Sequence, residues 1–249
     1  LNKAPAELLR QLKATCEYSV GLVLEKIRQS HAAYNRKLGR SEPDPAWQVH
    51  VKTFSELYRQ ALNDSGQAFT AAYAGGLESI IADIRRQRLN SPEATLKIVE
   101  MTLSHVSNLS PTVVIALSPP YYPSVHNDEF HDLPDRVDSL SDYLIGIAEN
   151  RWQEAYQKKN YIMGLTDLSY AALQNGEGIL PVIGPNMPLW QKTYDLPFAE
   201  MEALSVPVIN IGPWGKDLHK YTERVFETDL VERTPALLES AIDYLLGEL

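Results

Sequence analysis

A single cysteine, Cys16, stands in 249 residues, so no disulfide framework is available. Long apolar runs and a signal-peptide pattern are absent as well. Both absences lead to the expectation of a soluble protein of a reducing compartment, the cytoplasm. Basic residues are outnumbered, 23 Lys and Arg against 32 Asp and Glu, and the formal net charge is -9. Such a balance repels phosphate backbones and anionic membrane surfaces at long range, which sets aside nucleic acid and membrane as partners. A G-x-S-x-G elbow for a serine nucleophile is missing. Internal repeats and low-complexity tracts are missing too. The initial residue is Leu1 rather than methionine, and a helical pattern begins almost at once. The chain is therefore expected to be a piece of a longer one.

What remains is ordinary globular material. With 44% hydrophobic and 22% charged residues, the chain can bury a real core as one large or two modest domains. Leu9, Leu12, Cys16, Val20, Val23 and Ile27 recur at helical spacing. They predict an amphipathic helix from residue 5 to about 38 with Cys16 as a buried thiol, ended by "GRSEPDP". Alternation in "WQVHVKTF" predicts a strand with His50 turned away from its apolar face. Residues 54–89 are helix-forming, with a break expected at Gly75 and Gly76. Ser91 is expected to cap a further helix, and "TVVIAL" reads as a buried strand that leaves its sheet at Ser118.

From about residue 124 the pattern becomes an α/β alternation. Val137, Leu140, Leu144 and Ile147 mark a helix, "YIMG" a strand and "DLSYAALQNG" a helix. "ILPVI" and "VPVINI" read as strands, and Thr234-Pro235 starts a last helix.

Ligands of α/β sheets sit where strands end, so the exits "GLTDLSY" and "GPWGKDLH" carry most weight. The second is not a phosphate loop, because Lys216 is followed by Asp217 where a serine or threonine would hold magnesium. His219 taken alone is the kind of histidine that usually sits hydrogen-bonded at a surface. The glycines before it, with Asp217 and Glu223 close by to orient an imidazole, raise it to a candidate metal ligand. A second group, His126, Asp128, His131 and Asp132 in "HNDEFHD", reads mainly as a solvated loop and secondarily as a local metal site.

"GLTDLSYAAL" followed by "VPVINIGPWGKDLHKYTERV" resembles the closing motifs of the zinc-dependent peptidase family that holds carboxypeptidase G, aminoacylase and succinyl-diaminopimelate desuccinylase. "SPPYYP" and "NMPLWQKTYDLP" are similar to its arginine-utilisation branch. The resemblance runs from about residue 15 to the end and is strongest after Ser110. It implies a fold in which an inserted α+β lid, of a kind that dimerises, precedes the second half of an α/β catalytic domain. Residues 1–123 would be the lid and 124–249 the catalytic half, with the first half and most metal ligands elsewhere.

By that resemblance His219 is a zinc ligand, while Thr166, Asp167, Gly212 and Gly215 lie at the substrate. Asp217 and Glu223 support the histidine, and Leu165 stands where the family has a second glycine. The implied activity is metal-dependent cleavage of an N-acyl or peptidyl amino acid in arginine catabolism. A homodimer through an edge strand of the lid, "WQVHVKTF" or "TVVIAL", is expected with it. The chain alone would be inactive, since the general base lies outside it. The alternative is a non-catalytic binding or dimerisation module of the same fold.

Overall fold

A computed structural model describes residues 5–108, 110–131, 133–159, 166–173 and 176–247. In chain order the helices are α1 (Pro5–Leu38), α2 (Phe54–Arg85), α3 (Ser91–Leu103), α4 (Asp135–Trp152), α5 (Gly176–Asn186), α6 (Phe198–Leu204) and α7 (Thr234–Leu246). The strands are β1 (His50–Thr53), β2 (Thr112–Ile115), β3 (Gly215–Lys216) and β4 (Arg224–Val225). Helix dominates and each sheet has two strands, so the class is mixed α and β.

Two compact units divide the chain, one of residues 1–121 with 175–197 and one of 122–174 with 198–249. Residues 175–197, placed by the sequence with the second half, thus pack with the first unit.

In the first unit β1 and β2 pair in parallel, His50 opposite Thr112 through Thr53 opposite Ile115. The parallel order needs a crossover, which α2 and α3 supply. Thr53 ends β1 and begins α2. Its side chain accepts the Glu56 N–H at 3.2 Å while its own N–H donates to the Glu56 carboxylate at 2.8 Å, a reciprocal cap. Phe54, Leu77, Ile80, Ala94, Ile98 and Leu189 form one core cluster, and Leu57, Ala61, Phe69 and Val106 another. His50 is exposed, as its strand alternation predicts.

Several local expectations give way. The α2 interruption lies at Gly66 (φ 50°, ψ -125°), and Gly75 and Gly76 run through the helix. A Cβ at Gly76 would run into the Met101 sulfur, so that flexible side chain would have to move to admit one. The cap of α3 is Asn90, whose side chain accepts the Glu93 N–H, and Ser91 is the first helical residue. Cys16 is half-buried, and much of the apolar stripe around it is exposed.

"ILPVI" is part of α5. Ile179 and Ile183, one turn apart, are both buried, a helical period that the two prolines masked. Its last residue, Asn186, accepts the Ser55 N–H on its side chain at 3.0 Å and the Leu117 N–H on its carbonyl at 2.7 Å.

In the second unit α4 packs on α7 through Leu140, Leu144, Leu237 and Ala241. Tyr143 stacks on Tyr244 with ring centroids 4.1 Å apart. The alternation of helix and strand expected here is not found among the described residues. "VPVINI" forms no strand. Its contacts run instead to single groups, Val206 N–H to the Ala171 carbonyl and Val208 to the Asn127 side chain. Among the described residues of "DLSYAALQNG", Asp167–Tyr170 form a 3-10 turn and Gly176 begins α5, so the expected single helix is not found. "YIMG" lies outside the described residues.

Candidate functional site

The sequence Gly-Lys at 215–216 and Arg-Val at 224–225 closes an antiparallel hairpin, with Gly215 opposite Val225. Gly215 is required there, because a Cβ would meet the Arg224 carbonyl oxygen at 2.7 Å. Gly212 has open space where its Cβ would be, so no close backbone approach explains it. Below the strands the Phe226 N–H donates to the Trp214 carbonyl at 2.8 Å. The Trp214 N–H donates to Asp229 Oδ2 at 3.0 Å.

Asp229 is 3% exposed and lies in a π-helical turn, Asp229–Arg233, that leads into α7. Its second oxygen accepts from Arg233 Nη1 at 2.9 Å, and Arg233 Nη2 reaches Glu154 Oε1 at 3.0 Å. The Asp229 bond raises the Arg233 pKa further. Burial, and then the Asp229 carboxylate, raises that of Tyr156. This ionic core under the hairpin was not singled out from sequence. Its one readable signal was an Asp and an Arg four residues apart at a helix start.

The hairpin tip carries His219. Both Asp217 and His219 have φ 59°, the left-handed region, which folds the tip back on itself. The Glu223 carboxylate accepts the His219 backbone N–H at 3.2 Å, so it holds the main chain and not the ring. Asp217 accepts the Thr222 hydroxyl at 3.1 Å and lies 3.6 Å from Arg224, so it too is engaged away from the imidazole. The His219 side chain is exposed, as are Trp214, Leu218 and Tyr221 around it.

Thr166 and Asp167 belong to the same unit as the hairpin. Thr166 caps the 3-10 turn, its hydroxyl accepting the Leu168 N–H at 3.4 Å, and Asp167 is exposed. Leu165 and Asp132 lie outside the described residues. His126 is bonded to the Ser124 hydroxyl at 2.7 Å, and His131 is exposed. Among the described residues no three His, Cys, Asp or Glu side chains gather as a metal-holding group. The residues described therefore do not fit a zinc ion by themselves, since catalytic zinc takes about three protein ligands. No described helix is long and apolar enough to cross a membrane.

The chain is similar to RocB of Bacillus subtilis (strain 168). Identity is 30% over 138 residues, 54% of this chain and 24% of that protein. It is also 30% identical over 255 residues to "Uncharacterized protein YqjN" of the same organism, which takes in all of this chain and 43% of that protein. The chain thus spans less than half the length of the curated relatives it matches. No family model matches, and no solved structure matches.

Proposed function

We propose that the chain is part of a RocB-like, metal-dependent amidohydrolase or peptidase that cleaves an N-acyl or peptidyl amino acid in arginine catabolism, in the cytoplasm. The observation that carries the reading is the presentation of His219. Its hairpin is tied at the base by Asp229 and at the tip by Glu223 and Asp217, while the imidazole faces solvent. A histidine held by its main chain and open at its ring can serve as one ligand of a zinc ion completed by residues outside these 249. Thr166 and Asp167 would contribute polar contacts to the amide substrate. Gly215 shapes the loop, and Gly212 leaves room beside it. No chemical step is assigned to this chain alone.

A second reading, a non-catalytic binding module, is favoured by the lack of a metal-holding group among the described residues. One experiment separates the two. Zinc content and hydrolysis of N-acyl arginine are measured for residues 1–249, for the longer polypeptide that contains them, and for that polypeptide with His219→Ala. The first reading expects an inert short chain, an active and zinc-loaded long one, and loss of both properties with His219→Ala. An inactive long polypeptide, or a fully active His219→Ala form, supports the binding module instead.

A further inference from the structure

Among the described residues β1 is paired on one side only. Its His50 N–H donates to the Pro111 carbonyl at 3.0 Å, so in a parallel ladder His50 and Lys52 bond toward β2 while Val51 and Thr53 turn their main-chain groups to the open edge. Thr53 bears this out. Its N–H is taken by the Glu56 carboxylate at 2.8 Å, where a third strand would place a carbonyl. Val51, two residues and about 7 Å back along the edge, has no such partner among the described residues, although it is 4% exposed. A main-chain N–H and C=O left unpaired in a buried residue cost free energy comparable to lost hydrogen bonds, so water or a ligand must meet them.

A cavity of about 420 Å³ opens along that edge, between Lys13 and Glu17 of α1, Val51 and Lys52 of β1, and Glu56 of α2. All but one of its carboxylates and ammonium groups are answered. Lys13 gives its ammonium to both Glu56 oxygens at 2.9 Å. Lys52 donates to the Gln60 side chain, and its charge also reaches Asp64. Glu17, one helical turn from Lys13, has no hydrogen bond or ion pair among the described residues.

We propose that this edge binds an extended peptide bearing lysine or arginine, as a third strand beside Val51. The peptide main chain accepts the Val51 N–H and donates to the Val51 carbonyl, while its cationic side chain pairs with the Glu17 carboxylate. A small cation alone would leave the Val51 N–H unmet, and an acidic peptide would set its own carboxylate against Glu17. The formal net charge of -9 favours encounter with a basic segment too. The inference does not rest on the hydrolase reading.

The probe is the pentapeptide Thr-Val-Lys-Val-Thr, amidated at its carboxyl end and carrying a fluorophore at its amino end. Anisotropy at neutral pH is read with residues 1–249 and with the longer polypeptide that contains them. Saturable binding to both is expected. Glu17→Gln is expected to weaken it about 10-fold or more, as is glutamate in place of the peptide's lysine. Glu25→Gln, elsewhere on α1, is expected to change nothing. Hydrogen exchange reads the strand pairing itself, and the Val51 amide should slow about 10-fold or more when the peptide is saturating. No binding up to about 1 mM, equal binding of the glutamate peptide, an unaffected Glu17→Gln form, or a Val51 amide indifferent to the peptide would overturn the proposal. So would binding to residues 1–249 alone, which assigns the edge to another part of the longer polypeptide. Self-association of the chain that the peptide dissolves would assign it to a second copy and overturn the proposal as well.

Discussion

Asp229 accepts the backbone N–H of Trp214 at 3.0 Å, joining residues 15 positions apart and closing the base of the hairpin that carries His219. The same carboxylate binds Arg233, so one buried side chain links the hairpin to the start of α7. Asp229→Ala leaves that N–H without its acceptor and is expected to cost about 1–3 kcal/mol. Asp229→Asn, which keeps an acceptor oxygen and loses the charge, should cost less. Urea unfolding gives both values, and hydrogen exchange at the Trp214 amide should quicken in the alanine form. Equal stability of all three proteins would remove Asp229 from this role.

Glu56 connects α1 to the start of α2, through Lys13 at 2.9 Å and the Thr53 N–H. Burial alone would raise its pKa, but the Lys13 bond and the Thr53 N–H together lower it below the ordinary 4.5. A carboxylate with a lowered folded pKa adds stability above the unfolded value and loses it as pH falls through the folded one. Glu56→Gln should therefore flatten the acid side of a stability–pH curve. Its cost at neutral pH should stay within about 1 kcal/mol, because the ion pair is partly exposed and screened. An unchanged acid limb in urea titrations would count against the assignment.

The three α2 glycines should respond in different ways. Gly75 has open space and helical backbone, so Gly75→Ala is expected to stabilise by about 0.5–1 kcal/mol. Gly66→Ala forces a side chain into φ 50°, ψ -125° and should destabilise by about 1–3 kcal/mol. Gly76→Ala must displace the Met101 side chain and should fall between the two. Thermal melts of the three variants would decide the order, and a stabilising Gly66→Ala would place the helix break elsewhere.

Tyr73 packs edge-on to Tyr58 with centroids 5.1 Å apart, and burial pushes its pKa up from 10.0 to about 12. A raised folded pKa means that the contribution is whole below pH 10.0 and is lost as pH rises toward about 12. Tyr73→Phe cannot ionise, so its stability should fall less over that interval. Tyrosinate absorbance should also show one fewer late-titrating ring. A titration identical to the unsubstituted protein would show Tyr73 to be solvated.

The sequence by itself determined the long helices and the first two strands. The stripes of α4 and α7 and the Thr234-Pro235 start show directly, because a helix satisfies its backbone within a few residues of its own sequence. The β1 and β2 strands were legible from alternation and a β-branched run, and His219 was marked out by its glycines and neighbouring charges. Tertiary structure decided what depends on distant neighbours. "VPVINI" has the side chains of a strand but finds single acceptors at Ala171 and Asn127 instead of a ladder, and strand character requires a partner. "ILPVI" is helical because burying Ile179 and Ile183 in the first unit outweighs what two prolines cost. The Asp229 bond to Trp214 and the Glu223 bond to the His219 main chain were likewise invisible along the chain, since a carboxylate's partner is chosen by folding and not by spacing.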